Sequence, residues 1–132
     1  SPLSSSSAAS DVYKRQVVGG GVALMRTQDA VEIVKANSLD IDAGIDVVLQ
    51  ALTAPLCQIA INSGAEPLVV SAKVRQNTGS YGYNAATDEY GDLAAMGVLD
   101  ATVIVRTALQ QAASVSCLVL TTDCVVVGLE NA

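Results

Sequence analysis

The sequence predicts a mainly helical domain carrying a small β-hairpin and a strand at its C-terminal end. Three observations carry that reading. Between residues 39 and 62 apolar side chains recur at helical spacing, and a second such stretch follows Asp100. Between them lies "GSYGYNAATDEYGD", residues 79–92, with three of the four tyrosines and three of the ten glycines. Aromatic residues flanking a turn-forming centre are the mark of two short strands folded back on each other.

The elements follow in order. "SPLSSSSAASDVYKRQ", residues 1–16, is serine-rich and lacks hydrophobic period. It has no apolar run of the kind a secretory signal needs. It reads as a non-native, disordered leader, and residues 17–132 as the folded part. Gly19, Gly20 and Gly21 open a helical segment expected to run to about Lys35. Residues 37–40 offer N-cap side chains for the next helix. Its apolar face is Ile41, Ile45, Val48, Leu49, Leu52, Leu56 and Ile59, with a bend expected at Pro55. After Asn62, Ser63 and Gly64, Pro67 starts a shorter helix to about Gln76, proline being tolerated in the first turn. Beyond the hairpin, residues 93–96 read as a helical turn. The last helix has an expected buried stripe of Val105, Ala108, Ala112, Val115 and Val119. The β-rich residues 124–129 read as the terminal strand.

Composition narrows the function classes. A length of 132 residues suits one domain or part of one. The chain is 51% hydrophobic without Phe or Trp, so aliphatic side chains and alanine must build its core. No stretch shows the roughly 18 consecutive uncharged apolar residues of a membrane span, so no membrane partner is expected. The net charge is −6 and the seven Lys and Arg are scattered, which argues against nucleic acid. The lack of His removes the usual general base and a common metal ligand. Cys57, Cys117 and Cys124 are odd in number and lack C-x-x-C spacing; they read as reduced, mostly buried thiols of an intracellular protein.

Local motifs leave several readings open. The glycine triplet invites a dinucleotide fingerprint, but G-x-G-x-x-G is not satisfied and no strand–helix–strand unit follows. Glycines there permit either a tight helix entry or close approach of backbone to a ligand. Asp100 stands where its carboxylate would cap the last helix. Asn84, Ala85 and Ala86 suit a turn. Asp88, Glu89 and Asp92 read as a solvated hairpin tip rather than a cation site.

Read together, "VVGGGVALMR", "APLCQIAINSGAEP", "YGYNAATDEYGDLAAMGVLDATVIVRTALQQAASV" and "LTTDCVVV" closely resemble the group I chaperonins, the bacterial GroEL type. The resemblance runs from Val17 to about Val127 and lies in the C-terminal half of the equatorial domain, the ATP-binding and ring-forming part. It implies that Asn84, Ala85 and Ala86 line the adenine end of an ATP pocket and that Gly20 lets backbone approach the nucleoside. It further implies that Asp100 reaches the ribose hydroxyls beside an apolar wall at Val98. A neutral slot of small residues suits a flat base, and one carboxylate can accept from two hydroxyls.

Departures limit the likeness. Ala101 replaces the proline usual after that aspartate. The family's catalytic aspartate, phosphate loop, metal ligand and apical domain have no counterpart in this sequence, so no catalytic or metal-binding residue is assigned. The chain is expected to be a chaperonin fragment, inactive alone as an ATPase. The resemblance implies a parent that uses ATP with Mg2+ and forms a heptameric ring of identical subunits. That parent would receive unfolded client proteins and a co-chaperonin. Its location would be cytoplasmic if bacterial, and the mitochondrial matrix or plastid stroma if organellar. The alternative is a helical interaction module, a degenerate paralogue that keeps the packing and binds no nucleotide.

Overall fold

The computed structural model describes residues 15–35 and 38–128. Most of the expected leader, residues 1–14, and Leu129 of the expected terminal strand lie outside the described residues.

The described chain is mainly helical, as the sequence predicts. β1 (Gln16–Val18) leads through the glycine triplet into α1 (Val22–Arg26) and α2 (Gln28–Glu32). These replace the single helix expected to Lys35. Thr27 makes the break: its N–H donates to Leu24 O at 3.1 Å and its Oγ1 donates to the same carbonyl at 2.7 Å. A side chain that bonds its own preceding turn competes with the regular helical ladder.

α3 (Leu39–Asn62) starts after an extended Ser38, with Asp40 and Asp42 in its first turn, where acidic groups favour the helix dipole. It runs through Pro55 and ends on a Schellman-type turn. There Ala65 N–H donates to Ala60 O at 2.9 Å, and Gly64 holds φ +83°. That turn aims the chain into α4 (Pro67–Gln76), whose first helical residue is the proline. Of the expected α3 face only Leu52 and Leu56, in its C-terminal half, are buried, joined there by Ala60. Ile41 and Val48 stay 55% and 45% exposed, because α2 leaves an open groove along the first turns of α3, whereas α4 and the hairpin close over the last.

β2 (Tyr81–Asn84) and β3 (Glu89–Asp92) form the expected antiparallel hairpin, with Tyr83 opposite Tyr90 and Gly82 opposite Gly91. The core gathers where hairpin, α1, α3 and α4 meet: Val22, Met25, Leu56, Ala60, Val70, Val74, Tyr83 and Leu93. A second sheet was not expected. β4 (Leu99–Ala101) pairs antiparallel with β1, placing Val17 opposite Asp100 and Val18 opposite Leu99. The ladder takes in Gln16 opposite Ala101, and Thr102 N–H and Oγ1 donate to Arg15 O at 2.9 and 2.8 Å. The ladder thus takes in Arg15 and Gln16, two residues upstream of Val17.

α5 (Thr102–Leu120) forms where expected, but its stripe is not covered: none of its residues is buried. The expectation of mostly buried cysteines is corrected with it, since Cys117 on this helix and Cys124 beyond it are exposed and Cys57 is half-buried. Residues 124–128 form no strand, and Val126 is 93% exposed; a strand needs a neighbour to take its backbone hydrogen bonds. By length and composition α3 and α5 are each apolar enough to cross a membrane. This corrects the reading that no segment reaches that size. α3 nonetheless buries Leu52, Leu56 and Ala60, the last two within the core.

Candidate functional site

The glycine triplet is the hub of the site. Gly20 and Gly21 sit at φ +66° and +75°, a region that side chains rarely enter. A Cβ on Gly21 would lie 2.5 Å from the backbone N of Leu56, inside the body of α3. A Cβ on Gly20 would meet Leu93 Cδ1 at 3.2 Å and Tyr83 O at 3.4 Å. Gly19 N–H donates to Val98 O at 2.9 Å, and its Cα faces the Val98 side chain. The triplet therefore touches α3, the end of β2 and the residue before β4 within three positions.

The hairpin is held against this hub from two sides. The Arg26 guanidinium donates to Val74 O at 2.9 Å, Tyr81 O at 3.2 Å and Gly79 O at 3.3 Å. One cation thereby closes the end of α4 and the entry to β2. On the other side, Tyr83 OH donates to Asp88 Oδ1 at 2.8 Å and stands 3.1 Å from Ser63 Oγ. Its ring lies 5.1 Å from that of Tyr90, over which Lys73 Nζ sits at 4.4 Å from the centroid. Burial of the Tyr90 phenol, with the neighbouring Tyr83, Asp88 and Tyr81, raises its pKa above the ordinary value of 10.0. The turn itself is tied internally: Ala86 N–H donates to Asn84 Oδ1 at 3.1 Å and Thr87 N–H to Asn84 O at 3.3 Å.

Of the residues singled out from sequence, Gly20, Asn84, Ala85 and Val98 lie around the glycine hub and the core beside it. Gly20 abuts the carbonyl just before Asn84, while half-buried Ala85 and Val98 pack against one core. Ala86 is exposed at the turn. Asp100 lies two residues beyond Val98 and is exposed in β4; the N-cap residue of α5 is Ala101. The cap expectation for Asp100 is thereby corrected, because strand pairing with Val17 takes its backbone out of the cap position. The acidic tip does not form a cation cluster among the described residues. Asp88 is spent on Tyr83, and Asp92 Oδ1 accepts from Ala94 and Ala95 N–H at 3.0 and 3.3 Å.

Sequence reasoning missed Arg26, Ser63, and the joint role of Tyr83 and Asp88. Their partners lie up to 55 residues away. The one local signal was the alternation of Tyr81 and Tyr83, which put both on one strand face. An apolar groove of about 370 Å³ lies elsewhere, between α2 and α3 and lined by Val31, Val34, Ile41 and Ile45.

Comparison with known proteins comes to the same architecture. The model of the TCP-1/cpn60 chaperonin family matches residues 5–129. The fold is similar to that of the open-state monomer of a group II chaperonin from Methanococcoides burtonii, with a TM-score of 0.71 at 21% identity. That match covers 81% of this chain and 28% of the other.

Proposed function

This chain belongs to the TCP-1/cpn60 chaperonin family, and we propose that it forms the adenine and ribose side of a chaperonin ATP pocket, together with part of a ring interface. One observation carries the reading: the glycine turn seats Gly20 against the β2 end that delivers Asn84 and Ala85, with Val98 on the same rim. Exposed Asp100, two residues further along β4, offers an acceptor for sugar hydroxyls. In the bound state the Asn84 carboxamide keeps its oxygen for the turn and presents its NH2 group to a base nitrogen.

The motif order favours the group I, GroEL-type branch, and with it a heptameric ring, a co-chaperonin and unfolded clients. Location then follows the branch: bacterial cytoplasm, mitochondrial matrix or plastid stroma. The structural neighbour is a group II protein and supports the fold alone. Mg2+ would accompany ATP in the complete subunit, held by residues outside this chain.

Titration of the chain with a non-hydrolysable ATP analogue tests the proposal. Amide resonances should shift at Gly20, Asn84–Ala86, Val98 and Asp100. Asp100→Ala should weaken binding by about 1–3 kcal/mol, the scale of a hydrogen bond to a charged group. A second reading, an interaction module without nucleotide, is favoured by α5, which buries none of its residues. Absence of localised shifts at saturating analogue would decide for it.

A further inference from the structure

We propose that Asp88 is a positioning residue that latches the neck of the Asn84–Ala86 turn, so that the turn is formed before a nucleobase arrives. The proposal rests on the reading of that turn as a nucleobase wall. Among the described residues Asp88 is the one non-glycine residue with positive φ, at +55°. Such a conformation is unfavourable for an L-residue and persists only where surrounding contacts enforce it; strain of this kind gathers at functional positions. Aspartate tolerates it better than most because its short carboxylate can bond locally.

The enforcing contact is the bond from Tyr83 OH to Asp88 Oδ1 at 2.8 Å. Tyr83 immediately precedes Asn84 and Asp88 immediately follows Thr87, so this bond spans the turn at its base. Only the terminal pair, Asn84 with Glu89, lies beyond the Tyr83–Tyr90 rung. A frayed end pair would free the turn, and the latch opposes that fraying.

Tyr83 is a firm anchor. It is 4% exposed within the core and its hydroxyl reaches Ser63 Oγ at the end of α3. Hydrogens can be counted. The phenol has one, and the carboxylate at 2.8 Å takes it. The single hydroxyl hydrogen of Ser63 then serves Ala60 O at 2.8 Å or the phenol oxygen at 3.1 Å. The turn is thus tied through Asp88 and Tyr83 to the C-terminal end of α3, the helix that also receives Gly21. Both walls of the proposed pocket share one support.

Three substitutions separate latch from strain. Asp88→Gly removes the acceptor and relieves the backbone. Asp88→Asn keeps an acceptor and tolerates the same φ. Tyr83→Phe removes the donor and keeps the ring. In the full chain without nucleotide, amide hydrogen exchange at Ala86 and Thr87 should quicken about tenfold or more in the Gly and Phe variants, the scale of losing a hydrogen bond to a charged group. The Asn variant should stay within about threefold of the unsubstituted chain, and the Gly/Phe double variant should exceed neither single change. Adenosine affinity should fall in parallel and be rescued by Asn. Unchanged exchange in Asp88→Gly would overturn the latch. So would loosened exchange with unaltered adenosine affinity, since the turn would then need no positioning. Should the unsubstituted chain bind no adenosine while exchange responds as expected, the latch stands and the nucleotide reading falls.

Discussion

The α3–α4–hairpin unit and α5 are built from similar aliphatic residues and end in opposite states. Leu56 is 1% exposed, clamped between the glycine turn and the core, whereas Leu118 of α5 is 64% exposed. Propensity does not separate them; closure does. α3 is turned back by its Schellman cap and Pro67 so that α4 and the hairpin fall on its face. α5 leaves β4 with no such reversal. Apolar periodicity states which side of a helix avoids water, not what will cover it.

The largest effect that would break this contrast is on stability. Leu56→Ala should destabilise the chain by about 2–5 kcal/mol, whereas Ile104→Ala on α5 should stay within about 0.5 kcal/mol, both read by urea denaturation. Equal losses would mean that α5 is covered in solution. Gly21→Ala should cost about 1–3 kcal/mol, because the new methyl both enters α3 and demands a positive φ.

Next comes association. The exposed α5 face and Val125–Val127 should make the chain self-associate at about tens of micromolar, where exposed apolar surface promotes aggregation. Replacing Leu118 and Val115 by glutamate should lower the sedimentation average more than deleting residues 124–132. The reverse ranking would move the adhesive surface from the helix to the tail.

The smallest effect concerns the hairpin. Burial raises the Tyr90 pKa above 10.0, so the folded state holds this proton more tightly than the unfolded chain. Its contribution is therefore complete below pH 10.0 and is lost as pH rises through the folded value. Tyr90→Phe should flatten the fall in stability on alkaline titration, and an unchanged alkaline slope would count against the burial.

Much of the buried unit was legible because its signals are local. Pro67 at a helix start, Pro55 within a regular period and the tyrosine-rich hairpin each speak within a few residues. The failures were non-local. β1 and β4 are three residues each and carry no period of their own. Asp100 ahead of a helix looks like a cap until Val17 claims its backbone. The proposed site residues Gly20, Asn84 and Val98 come from family resemblance. Arg26 and Ser63 were not legible, since their partners are set by packing, and the Asp88 bond to Tyr83 follows from the hairpin register rather than from the residue types.

The β1–β4 ladder carries a consequence for the order in which the molecule assembles. Thr102 bonds Arg15 across a separation of 87 residues, whereas the hairpin closes over a handful. Loop-closure entropy grows with the length closed, so the hairpin is the early structure and the ladder the late one. Three residue pairs, with the Thr102–Arg15 and Gly19–Val98 bonds at their two ends, hold that long loop shut. The ladder is thus the natural place for the first local opening. When it opens, the segment before the glycine turn, Asp100 and the base of α5 come loose as one cooperative unit, while the hairpin, α3 and α4 remain closed.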